Sequence, residues 1–230
     1  MPALSIVDGG APPASASAGP RPRAAALRSP SSARTPRAAR RAPEIAPIQA
    51  LTGPDGIRAA LADRERLAEI VALDLLAPET DAALDDAARR AAEWLGLPQA
   101  YVSVVLDEAQ HFAALHGVEG WLAAARAMPT EWAFCRYAVS SGAAVVVEDT
   151  ARDPRTRDNP LVYLEGIRCY AGIPLVTSRG HVVGTLCVAG PEPRAFDDGD
   201  MAVLRAVARD VVARLEARRP AATAAAGARR

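Results

Sequence analysis

Apolar residues recur at helical spacing at two places, and between them the period shortens to two. From Ile57 to Leu76 the positions Leu61, Leu67, Ile70, Val71 and Leu75 predict one helix, stopped by Pro78. A second starts at Thr80 or Asp81, either able to cap it, and runs to Trp94 with Leu84, Ala87, Ala88, Ala91 and Leu95 on one side. Gly96 is its expected stop. Ala100 to Leu106 is short and β-branched and predicts a strand, with Asp107-Glu108 as a turn and His111 to Leu115 as its hairpin partner. Pro129-Thr130-Glu131 opens a short helix through Tyr137, ended at Ser141-Gly142, and Ala143 to Val147 reads as a buried strand. Asn159 is a good N-cap and Pro160 a good first helical residue, so a short helix is expected over Leu161 to Glu165. Strands Ile167–Val176 and His181–Ala189 flank a turn at Thr177-Ser178-Arg179-Gly180. A long helix follows Asp197-Asp198-Gly199-Asp200, with Leu204, Val207, Ala208, Val211, Val212 and Leu215 as a broad apolar stripe.

Strands joined mostly by tight turns give an antiparallel sheet, and helices at both ends are expected to pack together on one face of it. The class is α+β. Residues 1–56 have a different character. Ten of the nineteen prolines lie at or before Pro54, no apolar period is sustained, and seven arginines fall between Arg21 and Arg41. Such a stretch buries too little area to offset its ordering entropy, so it reads as a disordered tail, with another at 219–230 and one folded domain at 57–218. Every aromatic residue lies between Trp94 and Phe196, which puts the core in the second half of the chain.

Composition then excludes several classes. The formal net charge is zero, so no global field draws the chain to nucleic acid or an acidic membrane surface. No run of eighteen apolar residues occurs, and no membrane span is expected. Three widely spaced cysteines make no disulfide framework, and a reducing cytoplasm fits them best.

Several short motifs, taken together, resemble the bacterial GAF domain family. They are Phe134-Cys135-Arg136-Tyr137-Ala138-Val139, Val145-Val146-Val147-Glu148-Asp149, Asp153-Pro154-Arg155 and Asn159-Pro160-Leu161-Val162. Ile167-Arg168-Cys169-Tyr170-Ala171-Gly172-Ile173-Pro174-Leu175, Gly184-Thr185-Leu186-Cys187-Val188 and Pro193-Arg194-Ala195-Phe196 complete the set. The resemblance covers about Arg64 to Leu215. It implies a profilin- and PAS-like fold, with a central antiparallel sheet of five to six strands. The terminal helices would lie on one face, and the segment from Phe134 to Glu165 would roof a pocket on the other. It also implies a sensory or regulatory, dimerising module without catalysis of its own, and the broad apolar stripe of the long last helix places the expected homodimer contact on the terminal helices. Nothing folded is expected beyond Arg218, so output would pass to a separate effector such as a kinase, cyclase or phosphatase. Pocket candidates are Phe134, Cys135, Tyr137, Asp149, Arg155, Tyr163, Arg168, Tyr170 and Cys187, for a small molecule that the residues do not identify.

Two other functions stay open beside this one. Free methionine sulfoxide reductases are GAF domains that use thiols, and Cys135, on the short helix, sits where a helix dipole lowers a thiol pKa. Against that, the close-set cysteines of those enzymes are missing. A degenerate domain that only dimerises is the other alternative, and all three cysteines would then be small buried hydrophobes. With the turn centred between Ser178 and Arg179, Tyr170 pairs with Cys187, and Cys169 points to the opposite face from Cys187. His111, His116 and His181 form no metal motif. Cys135 is followed by Arg136 where a tetrapyrrole site needs histidine, and the chain has no lysine for the cyclic-nucleotide signature. No cofactor or metal is expected. Within the loop Asp149 to Asp158, Asp149 and Asp153 are expected to make turn hydrogen bonds.

Overall fold

A computed structural model describes residues 53–77 and 80–219. Most of the tails expected at 1–56 and 219–230, and the Pro78 helix stop, lie outside the described residues, whereas Pro54, Asp55 and Gly56 begin the first helix. The first expected helix is two. Helix α1 spans Pro54–Leu61 and α2 spans Arg64–Ala72, separated where Asp63 caps α2 by accepting from the Arg66 amide at 2.7 Å. An aspartate at that point competes for backbone donors and restarts the helix, which an apolar period cannot reveal. The break sends the two pieces to opposite faces of the sheet. Ile57 and Leu61 pack on the roofed side, Ile70 and Leu73 on the other. The Arg66 guanidinium is buried at the break and donates to the carbonyls of Leu61, Val105 and Val182, tying the junction to the sheet.

Helix α3, Ala82–Leu95, is capped by Asp81 and stopped by Gly96 at φ 62, as its sequence predicts. Strand β1, Gln99–Val105, and β2, Ala109–His116, form the first hairpin. The alanine-rich connection contains α4, Gly120–Ala125, and β3, Ala127–Pro129. A 3₁₀ turn at Thr130–Trp132 precedes α5, Cys135–Ser141, followed by β4, Val145–Val147. Helix α6, Pro160–Leu164, is capped by Asn159. Strands β5, Cys169–Val176, and β6, Val182–Gly190, lead into α7, Asp198–Glu216, whose N-terminus is a reciprocal capping box of Asp197 and Asp200.

All pairings are antiparallel in one six-stranded sheet, ordered β3-β2-β1-β6-β5-β4. One face packs on α2, α3 and α7: Val102, Val104, Leu175, Leu186 and Val188 meet Ile70, Leu84, Ala88, Leu204 and Val211. The other face carries Tyr101, Phe112, Met128, Tyr170, Cys187 and Ala189 under a roof that includes Leu122, Phe134, Cys135 and Leu161. This is the α+β arrangement the pattern predicts.

The β5–β6 register differs from the expected one. Cys187 pairs with Gly172, and Tyr170 with Ala189, two residues from the Tyr170–Cys187 pairing. The turn closes by Thr177 donating to His181, and a bulge between Leu175 and Val176 adds a further residue. A two-residue slip conserves faces, so Cys169 and Cys187 still point to opposite sides.

The terminal helices are joined by buried acids. Asp81 is 7% exposed and accepts from Arg214 Nε at 2.8 Å and Arg218 Nη2 at 2.7 Å. Glu69, 3% exposed, is gripped by Arg219 and Arg179. Burial pushes the Asp81 carboxyl up, but the Arg218 and Arg214 hydrogen bonds and the Ala83 amide outweigh it and hold the pKa at about 2. A folded pKa below the unfolded one contributes stability above the unfolded value, lost as pH falls through the folded one. Stability measured by urea denaturation is therefore expected to fall by about 2 kcal/mol through this group between pH 4 and pH 2. Asp81→Asn should flatten that part of the profile.

Candidate functional site

Beneath the roof lies a small hollow, about 20 Å³ in volume, enough for a single water. Strands supply its floor because side chains of period two from β1, β2, β5 and β6 point to this face: Tyr101, Gln110, Phe112, Tyr170, Cys187 and Ala189. Met128 of β3, paired with Gln110, adds to the floor, and the roof supplies Leu122, Phe134, Cys135, Leu161 and Ile167. Short pieces are stitched together to make that roof. Trp121 Nε1 donates to Glu165 Oε1 at 2.7 Å, Trp121 stacks edge-on against Trp132 with centroids 6.1 Å apart, and Asn159 Nδ2 donates to the Trp132 carbonyl at 3.0 Å.

One polar atom in this apolar enclosure is left over. Gln110 is 1% exposed, and its Oε1 has no hydrogen-bond donor among the described residues. An unpaired buried carbonyl costs on the order of 1–3 kcal/mol, so an atom left this way calls for an explanation such as a bound water or ion.

The second feature is a cluster around sulfur. Cys135 Sγ lies 3.7 Å from Cys187 Sγ and 3.4 Å from Ser103 Oγ, and it accepts from Tyr170 Oη at 3.4 Å. Ser103 Oγ is in turn 3.2 Å from Thr185 Oγ1. All five residues are buried. Burial pushes the Cys135 thiol up, and the hydrogen bonds from Cys187, Ser103, Thr185 and Tyr170 together prevail and lower it. Cys187 is raised, by burial and by serving Cys135 as a donor. Cys169, on the opposite face, is raised mainly by burial.

Of the nine residues singled out from sequence, the structure gathers four around the hollow: Phe134, Cys135, Tyr170 and Cys187. Phe134 packs edge-on against Tyr170 with ring centroids 5.4 Å apart. The other five lie elsewhere. Tyr137 and Arg155 line a separate open cleft of about 440 Å³ with Ile57, Leu61 and Arg136, and the Tyr137 hydroxyl donates to the Arg155 carbonyl at 2.7 Å. Arg155 is also paired with Asp153. Arg168 forks onto Asp149 at 2.9 and 3.1 Å, so the two charges neutralise each other. Tyr163 is 70% exposed on α6, its hydroxyl spent on the Arg157 carbonyl. Asp149 and Asp153 also make the expected turn bonds, to the amides of Ala151 and Arg155.

Gln110, Ser103 and Thr185 escape sequence reasoning. Their only signal is a polar residue at an inward position of an otherwise apolar strand. Among the described residues no group of three histidine, cysteine or acidic side chains is placed to hold a metal, and no helix is long and apolar enough to cross a membrane.

Comparison with known proteins follows the fold. A family model described as GAF domain matches residues 77–216. The chain is 36% identical over 155 residues to a cyclic di-GMP phosphodiesterase of Pseudomonas aeruginosa; the match covers 66% of this chain and 26% of that protein. The chain thus spans about a quarter of that relative's length. Among solved structures, a free methionine-R-sulfoxide reductase from Neisseria meningitidis aligns with TM-score 0.49 and 23% identity, covering 69% of this chain and 94% of that one. The GAF domain of an Acinetobacter phosphoenolpyruvate-protein phosphotransferase aligns with TM-score 0.48 and 11% identity, covering 67% and 95%. Likeness at this level concerns the path of the chain, and no chemistry is carried over from it.

Proposed function

The chain belongs to the GAF domain family, and from that premise we propose that it is a sensory module whose roofed hollow holds a small, mostly apolar molecule with one hydrogen-bond donor. The observation that carries the proposal is Gln110, a lining residue of the apolar hollow whose buried Oε1 has no donor among the described residues. A ligand N–H or O–H directed at it would remove that penalty, while Phe112, Phe134 and Leu161 would cover the remaining apolar surface. Anything larger than water requires the roof to shift. The roof suits this, being made of elements of three to seven residues.

The output is a change passed to a separate effector rather than a reaction of the module itself. Sheet strands that floor the hollow also carry Val102, Val104, Leu186 and Val188 on their reverse, against α3 and α7. A displacement of the floor is therefore felt by the terminal helices. The relative that bears a phosphodiesterase name supports an effector of that kind as the partner.

Native mass spectrometry of the full chain, purified from its own cells, tests this. The expected result is a non-covalent mass increment that Gln110→Leu loses while still melting cooperatively. Re-adding the released molecule at a hundred times its dissociation constant should stabilise the wild type by about 2.7 kcal/mol. Recovery of bare protein alone, with no stabilisation by its own cell extract, overturns the proposal.

A further inference from the structure

The sulfur cluster calls for an account that an apolar core does not supply. Ser103 and Thr185 are 0% exposed and Tyr170 is 3% exposed. The Ser103 hydroxyl lies within hydrogen-bond distance of Cys135 Sγ and Thr185 Oγ1, and the Tyr170 hydroxyl donates to Cys135 Sγ. A neutral thiol is a weak acceptor, whereas a thiolate is a strong one, so donors converging on one sulfur favour its anionic form. The facing Cys187 is the nearest sulfur, at 3.7 Å, and it comes from a different element, β6 against α5. Bond formation would need the two sulfurs to close to about 2.05 Å. Cys169, the remaining cysteine, has its side chain on the other side of the sheet and cannot compete.

We propose that Cys135 and Cys187 are an oxidative modification site, in which a small hydroperoxide converts the pair to a disulfide beneath the roof. The Cys135 thiolate attacks one peroxide oxygen, and the O–O bond breaks. The sulfur becomes a sulfenic acid, and the departing oxide leaves as water with the proton released by the thiol (as an alcohol from an organic peroxide). Cys187 sulfur then attacks Cys135 sulfur. The S–S bond forms, the S–O bond breaks, and the hydroxide takes the Cys187 proton and leaves as a second water. Two thiols are oxidised and one peroxide is reduced, and an external dithiol restores the pair by exchange. The product pins α5 to β6 across the floor of the hollow, so the roof loses freedom to shift. Both sulfurs line the hollow, but the test reads the disulfide and not the occupant.

The test uses the full chain, treated with hydrogen peroxide, quenched, and alkylated in denaturant. The expected product is about 2 Da lighter before alkylation, with a Cys135–Cys187 linked peptide, Cys169 still alkylated, and full reversal by dithiothreitol. Cys187→Ala should instead accumulate a dimedone-reactive sulfenic acid at Cys135. Tyr170→Phe, checked for cooperative melting, should slow oxidation severalfold. Alkylation of both Cys135 and Cys187 after excess peroxide, or a linkage that includes Cys169 or joins two chains, overturns the proposal.

Discussion

Gly184→Ala is expected to destabilise the domain by more than about 3 kcal/mol. Gly184 lies in the middle of β6 opposite Val104 of β1 and Leu175 of β5. A Cβ there would sit 1.8 Å from the Ser103 carbonyl oxygen and 2.8 Å from its carbon, with the Val104 Cα at 3.1 Å. All three are backbone atoms of a central strand, so no side chain can swing away, and β1 and β6 must part. The damage should extend to the sulfur cluster, because Ser103 on β1 and Thr185 on β6 straddle that pairing. Gly180→Ala is the informative comparison. Its φ is +88° but its Cβ would meet nothing within 4 Å, so only the conformational penalty of about 1 kcal/mol applies. Urea denaturation of the two variants separates crowding from backbone strain. A Gly184→Ala midpoint within error of wild type would show that the strands do not approach this closely.

Phe112→Ala is expected to cost about 3–5 kcal/mol and to convert the small hollow into one that binds an aromatic molecule. Phe112 is 2% exposed, tilts against the Tyr101 ring at a centroid distance of 5.5 Å, and lines the hollow directly. Loss of the ring leaves a void continuous with the existing 20 Å³, and neighbours on a six-stranded sheet cannot collapse into it fully. Adding indole or phenol, which have a ring to fill the void and a donor for Gln110, should raise the melting temperature of this variant more than that of wild type. Benzene, lacking the donor, should stabilise it less. Equal stabilisation by benzene and phenol would mean that Gln110 does not face the added ligand.

Both variants act on positions that differ in how visible they are along the chain. Gly184 belongs to the Gly-Thr-Leu-Cys-Val motif and attracts notice as a glycine inside a strand, a pattern that signals close backbone approach. Phe112 attracts none, since an aromatic in a weakly alternating hairpin strand has many explanations. The motif residues Phe134, Cys135, Tyr170 and Cys187 do converge, because each sits on an element whose inward face follows from a period of two or from a short capped helix. Asp149, Arg155 and Arg168 do not join them. Their guanidinium and carboxylate groups find one another across the loop, and a list of charges cannot say which pairs will close.

Local chemistry along the chain determined the elements and the class. Asp81 and Gly96 bound one helix, Asn159-Pro160 starts another, and strand alternation sets faces that survive even a two-residue error in register. Each of these depends on neighbours within a few positions, so the residues in order suffice. Tertiary structure alone decided that Asp63 divides the first helix between two faces, that Gln110 keeps a buried oxygen without a donor, and that Cys135 meets Cys187. Those outcomes depend on how far a roof of short helices settles onto a sheet. That distance is set by the packing of side chains remote in sequence, and no local pattern encodes it.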